Sequence, residues 1–354
     1  MKTGISLIEL AKELERQKES KRDFISPTED LKIVPHGTNQ PTTGIEVGYH
    51  GVFEMNDIAH QQVAGRVGIP QKYYDRMREK SPELLASNVN HWFKTEPEKR
   101  MVRTLDGKAR AFLSDRYRPL DNYDLGEVAI NTLIKHELKV EIESTALTDR
   151  RLYIKARTEI ISAEIRKGDI VQAGIIISNS EVGMGSVKVE PFVFRLVCLN
   201  GMIANDHALR KYHVGRGHEG GDLAEEFFRD ETRRQDDKAF WMKVRDIVSG
   251  SFKRDVFERM VESMRRATGD IISSDPVKAV EVTQKKFGLN DTERGGVLSW
   301  LIKGGDLTRY GLVNAVTRLS QDIPDYDRAT DLERLGGQIL ELPKTDWSEI
   351  AEAA

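Results

Sequence analysis

The sequence predicts an α+β protein in which an antiparallel β-sheet core is flanked by N-terminal and C-terminal helices. Three observations indicate this class. Short β-type runs follow one another with brief connections between residues 99 and 202, which is typical of antiparallel pairing. Apolar residues recur at three- and four-residue steps before and after that stretch, as in amphipathic helices. Asp106-Gly107 lies between two β-runs and predicts a tight hairpin turn, because glycine adopts positive φ without strain.

The length of 354 residues allows a large core and favours more than one structural region. We predict an N-terminal helical region with an arm (1–98), an antiparallel sheet domain (99–215) and a C-terminal helical region (216–354). No apolar run reaches the roughly 18 residues that span a bilayer, so we expect a soluble cytoplasmic protein without a membrane partner. The single cysteine, Cys198, excludes an intramolecular disulfide and a cysteine zinc cage. Its apolar surroundings indicate a buried inert thiol more than a nucleophile.

The N-terminal hundred residues contain helices and a proline-rich stretch. Residues 5–22 place Leu7, Leu10 and Leu14 on one face, which predicts an amphipathic helix docked on a neighbour. Residues 25–44 are rich in Pro, Gly, Ser, Thr and Asn, so we expect a loop or arm there, with a strand over 45–53.

Residues 57–80 have the spacing of a helix-turn-helix pair. Ala64 is placed where the two helices would cross closely, Gly68 lies at the turn before Pro70, and Tyr74 and Met77 occupy inward apolar positions. Two interpretations stay open here: an ordinary packed helix pair, and a pair whose second helix reads DNA.

Two further helices border the hairpin. One begins at Ser81-Pro82, and we expect its Trp92-Phe93 end to pack beneath the hairpin. The other spans residues 124–138, with Asn122 as its cap.

The hairpin over residues 99–122 is rich in cations, although the whole chain carries a net charge of −3. The two-residue period of a strand predicts Lys108, Arg110 and Phe112 on one face, opposite Ala109, Ala111 and Leu113. Cations beside an aromatic ring suit single-stranded nucleic acid, because cations neutralise phosphates and a ring stacks on any base. The alternative is a solvated face whose arginines pair with carboxylates.

Four β-runs occupy residues 140–202 and predict consecutive antiparallel strands. In the second run Leu152, Ile154 and Ala156 alternate with Tyr153, Lys155 and Arg157, which gives a second cationic and aromatic face. If this face lies beside the hairpin face, the two make one basic groove. If the faces lie apart, the groove has no basis.

Arg195 interrupts an otherwise apolar run and requires a partner, since an unpaired buried guanidinium is costly. Glu181 and Glu190 are candidates for an ion pair, and a ligand-binding role is the alternative. Asn200-Gly201 is expected to close the run as a turn.

The segment after residue 204 is less informative. His207, His213 and His218 have neither helical nor zinc-finger spacing, so we expect no metal there. The cations of the same segment belong either to a phosphate-contacting loop or to an ordinary surface loop; they are Arg210, Lys211 and Arg216. Helical periodicity follows, with apolar positions at Phe240, Val244, Ile247 and Val248 and at Val256, Met260, Val261 and Met264. Three alternatives stay open for the acidic stretch from Gln321: it is a solvated surface, it shields the basic sheet, or it recruits a basic partner.

Three blocks carry a resemblance to a known family: AFLSDRYRPLDN, ISNSEVGMGSVKVEPFVFRLVCLNGM and YGLVNAVTRLS. In this order, over roughly residues 100 to 320, they resemble the prokaryotic family called domain of unknown function 932, the phage/plasmid-like proteins. The resemblance implies a phage, prophage or plasmid context and supplies no catalytic mechanism. A looser architectural likeness is to phage single-strand annealing recombinases.

These observations favour a binding protein for single-stranded DNA, with possible annealing, in the replication or recombination of a mobile element. The residues expected to hold phosphates or stack bases are Arg103, Lys108, Arg110, Phe112, Arg116, Tyr117, Arg118, Arg151, Tyr153, Lys155 and Arg157. We expect a homo-oligomer, no cofactor and no catalytic residue, since no nucleotide loop, nucleophile elbow or zinc motif occurs. The alternatives are a metal-dependent phosphodiesterase or nuclease, and a module that interacts with a host protein.

Overall fold

The computed structural model describes residues 2–36, 42–117, 119–204, 213–214 and 230–353. Helices and strands are intermixed, which confirms the predicted α+β class. The N-terminal elements are α1 Leu7–Ser20, β1 Arg22–Pro27, β2 Leu31–His36, β3 Thr42–Val47, β4 Val52–Met55, α2 Asp57–Arg66, α3 Gln71–Lys80, α4 Pro82–Thr95, β5 Lys99–Leu105 and β6 Lys108–Ser114.

The rest of the chain begins with a helix and a run of strands and continues as helices. These elements are α5 Asn122–Ile134, β7 Glu141–Leu147, β8 Leu152–Glu164, β9 Ile170–Asn179, β10 Val187–Arg195, β11 Asn200–Ile203, β12 His213–Val214, α6 Asp230–Gly250, α7 Arg254–Ala267, α8 Pro276–Phe287, α9 Asp291–Gly304, α10 Arg309–Leu319, α11 Tyr326–Leu340 and α12 Lys344–Ala351.

The strands form two sheets, whereas the sequence predicted one over residues 99–202. The first sheet has the order β1-β5-β6-β4-β3-β2, and β4 pairs parallel with β6. The second has the order β11-β10-β9-β8-β7, all antiparallel, with β12 beside β10. The hairpin of β5 and β6 therefore belongs to a different sheet from β8.

The predicted arm over 25–44 is wrong for the residues that the structure describes, because they form strands β1, β2 and β3. Pro27 ends β1 and Pro35 lies in β2, and both strands are edges of the first sheet. Proline is tolerated at a sheet edge, where its missing N–H has no ladder partner to lose. These two prolines therefore indicate edge strands and not a loop.

Each sheet is covered by helices. The first sheet packs Val102, Ala109 and Phe112 against α2, α3 and α4, and the Phe93 ring stacks on Phe112 at 5.6 Å. Trp92, predicted to pack beneath the hairpin together with Phe93, is 39% exposed, so only Phe93 does so. One face of the second sheet packs on α1, α5 and the C-terminal helices, and the opposite face is covered by α11.

Local side chains cap the N-terminus of α1. Ser6 and Glu9 form a capping box at α1, and Leu10 and Leu14 are buried, so the docked helix is confirmed. The turn predicted at Asn200-Gly201 is wrong, because these residues begin β11 and pair with Arg195 and Phe194.

Candidate nucleic-acid interface

Two of the predicted phosphate-binding arginines lie in a buried charge cluster between the sheets. Arg103 is fully buried and donates to both carboxylate oxygens of Asp23, at 2.8 and 3.0 Å, and to Asp121 at 3.2 Å. Arg110 donates to the Glu181 carboxylate at 2.6 Å, and Lys21 pairs with Asp121. We call these six residues the inter-sheet cluster. Its three cations face three carboxylates, so it has no excess positive charge for a phosphate.

The carboxylates keep this cluster ionised. Burial alone would lower the pKa of Arg103, but Asp23, Glu181 and Asp121 raise that pKa above its ordinary value. Burial alone would raise the pKa of Asp121, but Lys21 and Arg103 outweigh it and hold the pKa below its ordinary value. The cluster is therefore a structural ion-pair network at neutral pH.

A β-bulge turns Arg110 toward Glu181. Arg103 pairs with Ala111 and Thr104 pairs with Ala109, so Arg110 is the extra residue in β6. The bulge breaks the two-residue period: Phe112 and Ala109 face the helices, while Ala111 and Leu113 contact Val182 on the other side. The predicted face shared by Arg110 and Phe112 is therefore wrong.

The second predicted cationic face has the expected alternation but is covered. Leu152, Ile154 and Ala156 lie in one core, and the opposite residues face α11. Lys155 pairs with Glu333 at 2.5 Å, and both side chains are fully buried. The Tyr153 hydroxyl donates to Asp327 at 2.6 Å. The acidic C-terminal stretch thus shields the sheet, which was one of three open alternatives.

The other predicted contacts are mostly engaged. Arg157 is ringed by Glu141, Glu143 and Glu159, at 2.8, 2.8 and 3.3 Å. Arg151 donates to the Met184 carbonyl at 2.6 Å and Tyr117 to the Ser180 carbonyl at 3.1 Å. Lys108 is exposed and pairs with Glu54 at 2.9 Å, and Arg116 is exposed. Arg118 lies outside the described residues.

These positions do not make one open groove. The two cationic faces belong to different sheets, and the rings of Phe112 and Tyr153 are only 3% and 2% exposed. A ring buried to this degree offers no surface to a base. The prediction of a common groove is therefore wrong, because neighbouring elements cover both faces with apolar side chains and carboxylates.

A model of the family described as Domain of unknown function (DUF932) matches residues 111–323, which is more than half of the chain. The chain belongs to the DUF932 family. No curated protein and no solved structure is similar enough to count as a match.

Residues 179–184, at the start of one of the three blocks that resemble the family, join the two sheets. They follow β9 and place Glu181 against Arg110 and against the backbone N–H of Asn122, at 2.6 Å each. Gln62 of α2 donates to the Val182 carbonyl at 2.8 Å and accepts from the Phe112 backbone N–H at 2.7 Å. This block thus has a structural role in the DUF932 protein.

The structure presents a different cationic surface on α3. Lys72, Arg76 and Lys80 recur every four residues, all three are exposed, and they make no ion pair within the described part of the chain. Tyr73 beside them is 49% exposed. We call these four residues the α3 stripe. The sequence analysis did not predict this stripe, although its four-residue spacing is present in QKYYDRMREK opposite the inward Tyr74 and Met77.

The helix pair that presents this stripe forms as predicted. α2 ends at Arg66, Gly68 adopts φ of +68°, and α3 begins at Gln71. Ala64, Tyr74 and Met77 are buried, and the Tyr74 hydroxyl lies 2.9 Å from Nδ1 of His60. Burial lowers the pKa of His60 to about 4, so this histidine is neutral at pH 7.

Arg195 has a partner that the sequence did not suggest. It binds Asp169 through two hydrogen bonds of 2.6 and 2.8 Å, so the ion-pair interpretation holds but the candidates Glu181 and Glu190 are wrong. Cys198, expected to be buried, is partly exposed, and its Sγ accepts from Arg195 at 3.2 Å.

Within the ranges that the structure describes, no three His, Cys, Asp or Glu side chains are grouped as a metal site. His207, His218, Arg210, Lys211 and Arg216 fall outside those ranges, as does the side chain of His213. None of the described helices has the length and apolar character needed to cross a bilayer.

Proposed function

We propose that this DUF932 protein binds DNA through the exposed face of α3. The observation that carries the proposal is the α3 stripe, in which Lys72, Arg76 and Lys80 line one side of a helix with no carboxylate partner among the described residues. Four cations and two acids lie within α3, although the whole chain has a net charge of −3. Local positive charge of this kind attracts phosphates.

The helix pair supports duplex DNA as the target. In a helix-turn-helix the second helix enters the major groove with its N-terminal residues at the bases, and α3 is the second helix here. Its first turn contains no acid and no side-chain cap, so the positive end of the helix dipole adds to the charge of Lys72 there. Phe112 and Tyr153, two of the three rings predicted to stack on a single strand, are buried, which favours duplex DNA over a single strand in this proposal.

The test is a fluorescence-polarisation titration of the whole protein against one labelled duplex and its separate strands. Three phosphate contacts predict about forty-fold weaker binding when salt rises from about 50 to 200 mM. The variant Lys72→Gln, Arg76→Gln, Lys80→Gln keeps helix propensity and should lose most of this salt dependence. A duplex that does not bind at low salt overturns the proposal.

The matched control removes the same charge elsewhere. Lys278, Lys285 and Lys344 are exposed and lie on α8 and α12. Their triple change to Gln should leave DNA affinity within about twofold of wild type, because screening limits charge effects beyond about 10 Å. Equal losses in both variants would mean a general charge effect and would refute a site on α3. Tighter binding of single strands than of duplex would refute the duplex assignment.

The broader biological context remains part of the proposal. We propose that the protein is cytoplasmic, serves replication or recombination of a phage or plasmid, and self-associates. Light scattering coupled to size-exclusion chromatography checks the last point: a monomer mass at micromolar concentration would remove it.

A further inference from the structure

A cavity of about 320 Å³ lies between one end of the second sheet and helices α9 and α10. Its floor is built from residues that hold one another in place. Arg195 donates through Nε and Nη2 to the two carboxylate oxygens of Asp169. The buried Tyr310 hydroxyl donates to the same carboxylate at 2.8 Å. Arg166 pairs with Asp306 at 2.9 Å at the rim. These pairs are neutral in sum and fix the shape of the cavity.

Two more cations line the cavity, and only one of them, Arg318, pairs with a carboxylate among the described residues. Lys303 lies over the Trp300 ring at 4.7 Å and makes no ion pair within the described ranges. Arg318 lies over the same ring at 4.2 Å, and its contact with Asp322 is long, at 3.5 Å. That aspartate already accepts from the Trp300 indole N–H at 2.7 Å. Lys303 therefore gives the lining a positive charge that no described carboxylate balances, and Arg318 lies close to it over the same ring.

We propose that this cavity binds a small phosphorylated molecule of mononucleotide size. Lys303 and Arg318 would donate to the phosphate, and Asn314, which is partly exposed in the lining, offers an amide to the rest of the molecule. The volume is at the lower end for small-molecule sites, which suits a ligand the size of one nucleotide. The site is separate from the α3 stripe.

Isothermal titration calorimetry of the whole protein with AMP, adenosine and inorganic phosphate tests the proposal. AMP should bind at least about tenfold more tightly than adenosine, because charge-assisted hydrogen bonds to the phosphate are lost in the nucleoside. The double variant Lys303→Gln, Arg318→Gln should weaken AMP by about tenfold or more. Far-UV circular dichroism of that variant should match wild type, since Lys303 is exposed, the Arg318 side chain is 27% exposed and glutamine keeps helix propensity.

Two matched control variants test whether AMP binds in this cavity. Lys278→Gln with Lys285→Gln removes the same charge from exposed positions of α8 and should leave AMP affinity unchanged. The triple α3 variant should also bind AMP normally, which separates this proposal from DNA binding. No AMP binding, equal binding of AMP and adenosine, or AMP binding that survives the Lys303 and Arg318 changes would each overturn it.

Discussion

Replacing Glu181 should cost more stability than any surface carboxylate, because three groups depend on it. Its carboxylate accepts from Arg110 and from the Asn122 backbone N–H, and its carbonyl accepts from Arg103 at 2.8 Å. Glu181→Ala keeps the carbonyl but leaves the charge of Arg110 buried and unpaired. Arg110 is 8% exposed and its Nε already has no partner. Breaking a buried ion pair in this way costs about 3–5 kcal/mol.

Urea unfolding followed by tryptophan fluorescence measures this loss as a shift in midpoint at constant slope. Glu181→Gln should lose about 1–3 kcal/mol, since the amide oxygen can still accept the Asn122 N–H. The control is Glu141→Ala, which removes a 56% exposed carboxylate from Arg157 and should cost less than about 1 kcal/mol.

A double-variant cycle measures the coupling free energy between Arg110 and Glu181. Arg110→Met combined with Glu181→Ala removes both charges, so the double variant should be more stable than the summed single losses predict by about 1–3 kcal/mol. Strictly additive losses, or a Glu181→Ala cost as small as that of Glu141→Ala, would show that the cluster does not hold the sheets together.

Three other predictions follow from the structure. His60 has a pKa of about 4 when folded and 6.5 ordinarily, so the unfolded state takes up the proton first as pH falls. Wild type should therefore lose about 3 kcal/mol between pH 6.5 and 4 relative to His60→Gln, measured by urea unfolding at each pH. Gly295→Ala should stabilise α9 by about 0.5–1 kcal/mol. Gly296→Ala should stabilise it less or destabilise it, because the added carbon would lie 2.5 Å from a leucine side chain of α10. Melting temperatures of the two variants check this difference. Lys155→Met should cost about 3–5 kcal/mol of unfolding free energy, most of it recovered by adding Glu333→Leu.

Local sequence signals predicted the elements well and their environment poorly. The apolar alternation of β8 and the amphipathic face of α1 were readable because they depend on near neighbours in the chain. The pairing of β1 with β5, and the cover that α11 lays over Lys155, depend on residues about 80 and 178 positions away. No periodicity carries that information.

The bulge at Arg110 shows the same limit on a smaller scale. One extra residue in β6 moves Arg110 away from Phe112 and toward Glu181, so the two-residue period fails where the site was expected. The α3 stripe, in contrast, lies on one helix, so its four-residue spacing alone would have been sufficient to predict it, although it was not among the predicted contacts.

The block at 179–184 has a practical consequence for anyone who expresses part of this chain. The family match begins at residue 111, inside β6, so a fragment cut there would lack β5, Arg103 and Arg110. Glu181 would then keep its charge with neither guanidinium nearby, and Leu113 and Val182 would lose their cover from Met101. We expect such a fragment to aggregate, so useful truncations should retain everything from α1 onward.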